Sequence, residues 1–281
     1  MLPVQARRRA KQLKRIFSPI VFFLMAAGCV SAQKGILLED LTWKQAQEVL
    51  RPETVVVFAL GAEAKEHGPH LPLNTDMLQA EYFKEQVRRA SDVVIAPTIN
   101  YGFYPAFLEY PGSTSLSLDI SHGMIADLCR SLAHFGPRRF YFINIGISTN
   151  LALKAASDEL AGEGILLHYL DLTKKGPVEI AVAQQVRGSH ADEIETSIML
   201  YISPHSVDMK KAVKDMNDRK SGMLFTRDPS SSKGIYSPTG IWGDATLATR
   251  DKGKRIVAEL TARILAGIEE LRHEPVPQRS K

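Results

Sequence analysis

Two near-continuous apolar runs constrain this chain most: Thr54–Leu60 (TVVVFAL) and Arg139–Ile145 (RFYFINI). Neither alternates polar with apolar residues, so neither suits a strand with one wet face. Short β-branched and aromatic runs of this kind fit strands buried on both faces, the mark of a parallel sheet covered by helices. Asp92–Pro97 and Ile165–Leu170 read as further strands, and Val178–Val182 as a short fifth. Helical patterns fall between them: Trp43–Leu50 capped by Thr42, Met77–Ala90, and Leu151–Leu160. Behind Asp119 comes a stripe of Ile120, Met124, Ile125, Leu128 and Leu132 at helical spacing. Ser189 is a candidate cap for a helix to about Tyr201, and a last helix, Asp251–Arg272, repeats Ile256, Leu260, Ile264 and Ile268 every four residues. The alternation predicts an α/β fold with a mainly parallel central sheet and helices on both faces. Thr98–Leu118 and Met216–Trp242 read as loop excursions, and residues 275–281 as a polar tail.

The first 32 residues read differently. Arg7, Arg8, Arg9, Lys11, Lys14 and Arg15 stand without an acid, an apolar stretch follows from Ile16 to about Gly28, and Val30-Ser31-Ala32 offers a cleavage site. That is the layout of a secretory signal peptide, and it predicts a secreted or periplasmic protein. Ala26-Ala27-Gly28-Cys29 leaves a lipoprotein alternative through Cys29, and no membrane span is expected after processing. The leader also explains the charge. The chain as a whole is +4, but residues 33–281 hold 29 basic and 31 acidic residues. Nothing there supports nucleic-acid binding, which needs a basic face on the folded domain. Residues 33–274 are long enough for one domain with its own core, and Cys129, set in the apolar stripe, reads as a packed thiol with no disulfide partner.

In parallel sheets, sites form beyond the carboxyl ends of the strands. That selects the loops after Leu60 and after Ile145. The first, Gly61–Asp76, packs His67, His70, Asp76, Glu63 and Glu66 into sixteen residues, a ligand set suited to zinc, manganese or iron. Alternatively the two histidines bond loop carbonyls and the acids face water. A second cluster, Gly188–Leu200, places His190 at a helix start, where the dipole favours a neutral, basic imidazole. Glu195 follows among Ile194, Ile198 and Met199, where a carboxylate needs a cation or a metal.

HGPHLPLNTD (67–76), YPGSTSL (110–116), HADEIETSIML (190–200) and GIWGDATLAT (240–249) come in an order and spacing that resembles the creatininase (creatinine amidohydrolase) family. The resemblance implies a three-layer α/β/α sandwich and a metal-dependent hydrolase of small cyclic amides or formamides, commonly a homo-oligomer. It implies metal binding by His67 and Asp76, catalysis by His190, and an active-site role for Glu195. The match also departs from the family. Lys65 stands where a glutamate ligand is usual, leaving Glu66 as the nearby carboxylate. The loop Asn144-Ile145-Gly146-Ile147-Ser148-Thr149-Asn150 lacks its usual histidine, and Phe107 replaces another.

The resulting expectation is a divalent metal, zinc or manganese, one or two ions, held by Glu66, His67, Asp76 and Glu195. His190 handles the proton, Ser148 or amides near Gly146 hold the oxyanion, and Tyr101, Phe107 and Gly146 contact a small-molecule substrate. The alternative is a binding or scaffold protein of the same fold, without metal, in which Lys65 pairs with Asp76.

Overall fold

Along the first apolar run, Val55, Val57 and Ala59 face one side and Val56, Phe58 and Leu60 the other, and all six are buried. That run is the middle strand of a computed structural model describing residues 34–216 and 224–279. The expected leader, residues 1–32, lies outside the described residues. Five strands pair in parallel throughout: β1 (Ile36–Leu37), β2 (Val55–Leu60), β3 (Val94–Ile95), β4 (Arg139–Asn144) and β5 (Leu166–Tyr169), in the order β1-β3-β2-β4-β5. Among the described residues seven α-helices accompany them: α1 (Trp43–Val49), α2 (Thr75–Ala90), α3 (Leu118–Ala133), α4 (Asn150–Ala161), α5 (Pro177–Val182), α6 (Glu193–Ile202) and α7 (Arg250–His273).

The sheet divides two cores. One packs Val55, Val57, Tyr141 and Ile143 against Phe83 of α2, Ile198 of α6 and the Ile256–Ile264–Ile268 stripe of α7. The other packs Val56, Phe58, Phe140 and Phe142 against Ile125 and Cys129 of α3 and Leu153 and Leu160 of α4. This is an α/β/α architecture, as the sequence implied. Cys129 is fully buried, and burial pushes its thiol well above the usual range, so it is inert packing.

β2 and β4 are neighbours, yet the helices that follow them, α2 and α4, go to opposite faces. The loops leaving the two strands therefore diverge and open a crevice, the switch point where α/β sheets carry their sites. Among the described residues, no helix is long and apolar enough to cross a membrane.

Two expectations need correction. Val178–Val182 is helical: Pro177 starts α5, and Glu259 of α7 accepts hydrogen bonds from the backbone N–H of Val178 and Glu179. Asp119 does not cap α3; Ser117 does, accepting from Ile120 N–H. The described part of the polar tail is anchored: Val276 packs on the core and Arg279 donates to the carbonyl of Glu163.

Gly253 makes the approach of α7 to α6 possible. A Cβ there would sit 1.8 Å from the carbonyl oxygen of Ser197. In an exposed helix, glycine to alanine gains about 1 kcal/mol. Here Gly253→Ala is expected to lose roughly 1–3 kcal/mol, because the helices must part. A rise in the urea midpoint of the variant would contradict this packing.

Candidate active site

The loop leaving β2 is held before its side chains are placed. Glu63 N–H donates to the carbonyl of Asn100, Lys65 N–H to that of Leu73, and Met77 N–H to that of Ala62. From the other side, the strand-like segment before α6 pairs His190 with Trp242. Ala191 then turns with φ +48°, a left-handed conformation that non-glycine residues adopt only where their surroundings enforce it. The turn delays the helix, so its cap is Asp192, which accepts from Ile194 and Glu195 N–H at 2.9 and 3.1 Å, and not Ser189. Burial raises the Asp192 carboxyl to about 6.

These two segments bring His67, His190 and Glu195 together, with ligand atoms within 4.8 Å of one another. His67 Nδ1 lies 2.8 Å from the carbonyl of Lys65, and its Nε2 lies 2.8 Å from Asp76 Oδ1 and 3.6 Å from Glu195 Oε1. His190 Nε2 meets both the carbonyl oxygen and the Oε2 of Glu66 at 2.9 Å, while its Nδ1 lies 3.8 Å from Glu195 Oε2. Glu195 Oε2 also accepts from Ala191 N–H at 2.7 Å, and Gln79 donates to Oε1 at 3.3 Å. The Lys65 ammonium closes on Asp76 Oδ2 at 2.6 Å and lies over the rings of Phe107 and Tyr104.

A carbonyl only accepts, so each imidazole's protonated nitrogen is assigned by its neighbour. His67 Nδ1 donates to Lys65 and leaves its Nε2 lone pair facing two carboxylate oxygens. His190 Nε2 donates to Glu66 and leaves Nδ1 facing Glu195. A lone pair against carboxylates is repulsive unless a proton or a metal ion sits between them. Burial and the Lys65 ammonium oppose a proton on His67, yet Asp76 and Glu195 outweigh them and hold its pKa above the ordinary imidazole range. Burial likewise opposes ionisation of Asp76, but Lys65 and His67 keep it far below the usual carboxylate range. Glu66 is also lowered, by His190 against its own burial.

Glu66, Asp76 and Glu195 set three carboxylates against one ammonium, so with neutral imidazoles two negative charges remain. One divalent cation would balance them. The donor set His67 Nε2, His190 Nδ1 and a Glu195 oxygen is that of a zinc or manganese site. These residues fit one ion.

Not every expected residue falls in that set. Both oxygens of Asp76 are engaged, by Lys65 and by His67. Glu66 lies behind His190, with its other oxygen on Gly68 N–H and its carboxylate against Gly240, whose φ of +85° and missing Cβ leave the space. Phe107 stacks on His190 with ring centres 4.0 Å apart. Ser148 lines a cavity of about 530 Å³ that also meets Lys65, Gln79, His190 and Glu195. Gly146 N–H donates to Asn144 Oδ1 and is not free to hold an oxyanion. Tyr101 is 48% exposed and does not line that cavity, which corrects its expected role. His70 bonds Thr196 Oγ1 at 2.7 Å, and burial lowers its pKa to about 4, a neutral structural histidine. Gln79 escaped the sequence reading. Its only signal was its position one helical turn after Asp76 on α2.

The family model described as creatinine amidohydrolase matches residues 39–268. The creatinine amidohydrolase of Pseudomonas putida is 26% identical over 249 residues, covering 80% of this chain and 92% of that one. The mycofactocin precursor peptide peptidase of Mycolicibacterium smegmatis is 33% identical over 214 residues, covering 73% and 81%. A solved structure named "Creatininase Mn" superposes with a TM-score of 0.72 at 24% identity, over 86% of this chain and all of that one. A mutant creatininase of "Zn-Zn type" gives 0.68 at 23% identity, over 87% of this chain. A family model spanning most of the chain, and a curated relative this similar over most of its own length, establish that the chain belongs to the creatininase family.

Proposed function

We propose that this protein is a metal-dependent amidohydrolase that uses one divalent ion, zinc or manganese, to cleave a C–N bond of a small cyclic amide or formamide. The observation that carries the reading is the placement of His67 Nε2 at 2.8 and 3.6 Å from two carboxylate oxygens while Nδ1 is committed to a carbonyl, an arrangement that requires a proton or a metal ion at Nε2. Membership of a family whose members include an amidohydrolase and a peptidase supports it.

His67, His190 and Glu195 would hold the ion. A bound ion polarises a carbonyl and acidifies water toward neutrality. The chain's own residues do the rest. Glu66 fixes the tautomer and orientation of His190, and the backbone carbonyl of Lys65 those of His67, as outer partners of histidine ligands do. Lys65 reaches the cavity wall with N–H bonds to spare beyond Asp76, a donor for the carbonyl oxygen as it gains charge. Water oxygen bonds to the carbonyl carbon, the C–N bond breaks, and the proton ends on the leaving nitrogen. Glu195, whose side chain is 18% exposed and lines the cavity, is placed to carry that proton.

The Lys65–Asp76 pair favours a second reading, a metal-free binding protein whose built-in cation is the lysine. Metal analysis of protein purified without chelator separates the two. About one equivalent of zinc or manganese is expected, with amide hydrolysis lost on chelation and restored by the ion. Protein that retains and takes up no metal would leave only the second reading.

A further inference from the structure

The cavity beside the catalytic groups is far larger than a compact cyclic amide requires. At about 530 Å³ it falls in the range that holds drug-sized molecules, roughly 300–1,000 Å³. Its walls are mostly apolar. Ile145 and Ile147 follow β4, Leu170 and Leu172 follow β5, and Ile194 and Ile198 come from α6. Lys65, Gln79, His190 and Glu195 supply polar atoms at the reactive centre, and Thr173, Lys175 and Glu179 also reach the wall beyond Leu172, where they can meet a polar end of the guest. Space walled by aliphatic side chains gives water few hydrogen-bonding partners and favours an apolar guest. Ile147, 42% exposed, would gain cover from such a guest.

We propose that the cavity selects amides carrying an extended apolar group. The C–N bond lies against His190 and Glu195, and the apolar group runs between the isoleucines after β4 and the leucines after β5. The inference takes its reacting bond from the proposed function but stands on the cavity alone. The chemistry that recognises the substrate is therefore one amide at the end of a hydrocarbon body, not a small polar ring.

N-methylformamide and N-octylformamide differ only in that body. Each buried methylene contributes about a fourfold factor, so with all seven extra methylenes buried kcat/KM is expected to favour the octyl compound on the order of ten-thousandfold. Calorimetric titration of chelator-treated protein reads binding without hydrolysis, and there the octyl compound is expected to bind with a similar advantage. Ile147→Asp sets a carboxylate on the wall at an exposed position and is expected to weaken octyl binding at least about tenfold more than it weakens binding of the methyl compound. Leu172→Trp, which fills the space, should do the same. Equal affinity for the two formamides, or octyl binding indifferent to both substitutions, would overturn the proposal whatever the enzyme hydrolyses. Octyl binding that both substitutions abolish, in a metal-loaded protein that cleaves no amide, would uphold the cavity assignment and overturn the hydrolase reading instead.

Discussion

Lys65→Met is expected to destabilise the metal-free protein by about 3–5 kcal/mol, the cost of stranding a buried carboxylate. Asp76 is fully buried, and Lys65, 5% exposed, sits 2.6 Å from its Oδ2. Methionine keeps most of the stem's volume and its contacts with Phe107 and Tyr104 but removes the charge. The double variant Lys65→Met, Asp76→Leu removes both charges and is expected to recover much of the loss, because an apolar pair of similar size costs no desolvation. Urea denaturation of the single and double variants closes this cycle. A single variant within about 1 kcal/mol of the parent would mean that Asp76 draws its charge compensation from elsewhere.

The second large effect belongs to His67→Ala. Outer residues that merely orient a ligand are worth 10- to 100-fold in metal affinity, so losing a ligand itself is expected to cost more than about a hundredfold. Amide hydrolysis should fall with it. The charge logic adds a pH dependence with a definite sign. The carboxylates around His67 favour a proton on its Nε2, and a metal ion must displace that proton. Affinity for zinc or manganese is therefore expected to weaken as pH falls below the raised His67 pKa, and the dependence should flatten in His67→Ala. Competitive titration against a chromogenic chelator across pH measures both effects; a variant that binds metal like the parent would remove His67 from the site.

Much of this was legible from residue order. The TVVVFAL and RFYFINI runs are strands buried on both faces, and their carboxyl ends selected the loops after Leu60 and Ile145 without any motif, whereas the divergence of α2 and α4 that opens the crevice is visible only in the structure. His67 and Asp76 were visible as candidate metal ligands, His190 as a candidate base at a helix start, and Glu195 as a carboxylate needing a partner. Pairwise geometry was not legible. Whether Asp76 serves a metal or a lysine depends on which way Lys65 leaves its backbone, and sequence separation carries no information on that. Local propensity misled at α5, where Val178, Ile180 and Val182 read as a strand; Pro177 at the first turn and the Glu259 carboxylate under it decided for a helix. It misled again at Ser189, because a left-handed alanine cannot be foreseen from composition. Gly146 and Tyr101 were chosen for what their chemistry permits, but Asn144 takes the amide of one and the other stands in solvent.

The bonds between His190 and Glu66 join positions 124 apart, and Gln79 reaches Glu195 across 116. Such contacts pay their loop-closure entropy before they return anything, and long separations slow folding. The Gly61–Asp76 loop leaves the ribosome well before His190, Glu195 and Gly240 exist to bury it. Its lysine, histidines and carboxylates keep their water until the last third of the chain arrives. All five strands of the sheet, the last ending at Tyr169, thus precede in order of synthesis the residues that enclose the chemistry.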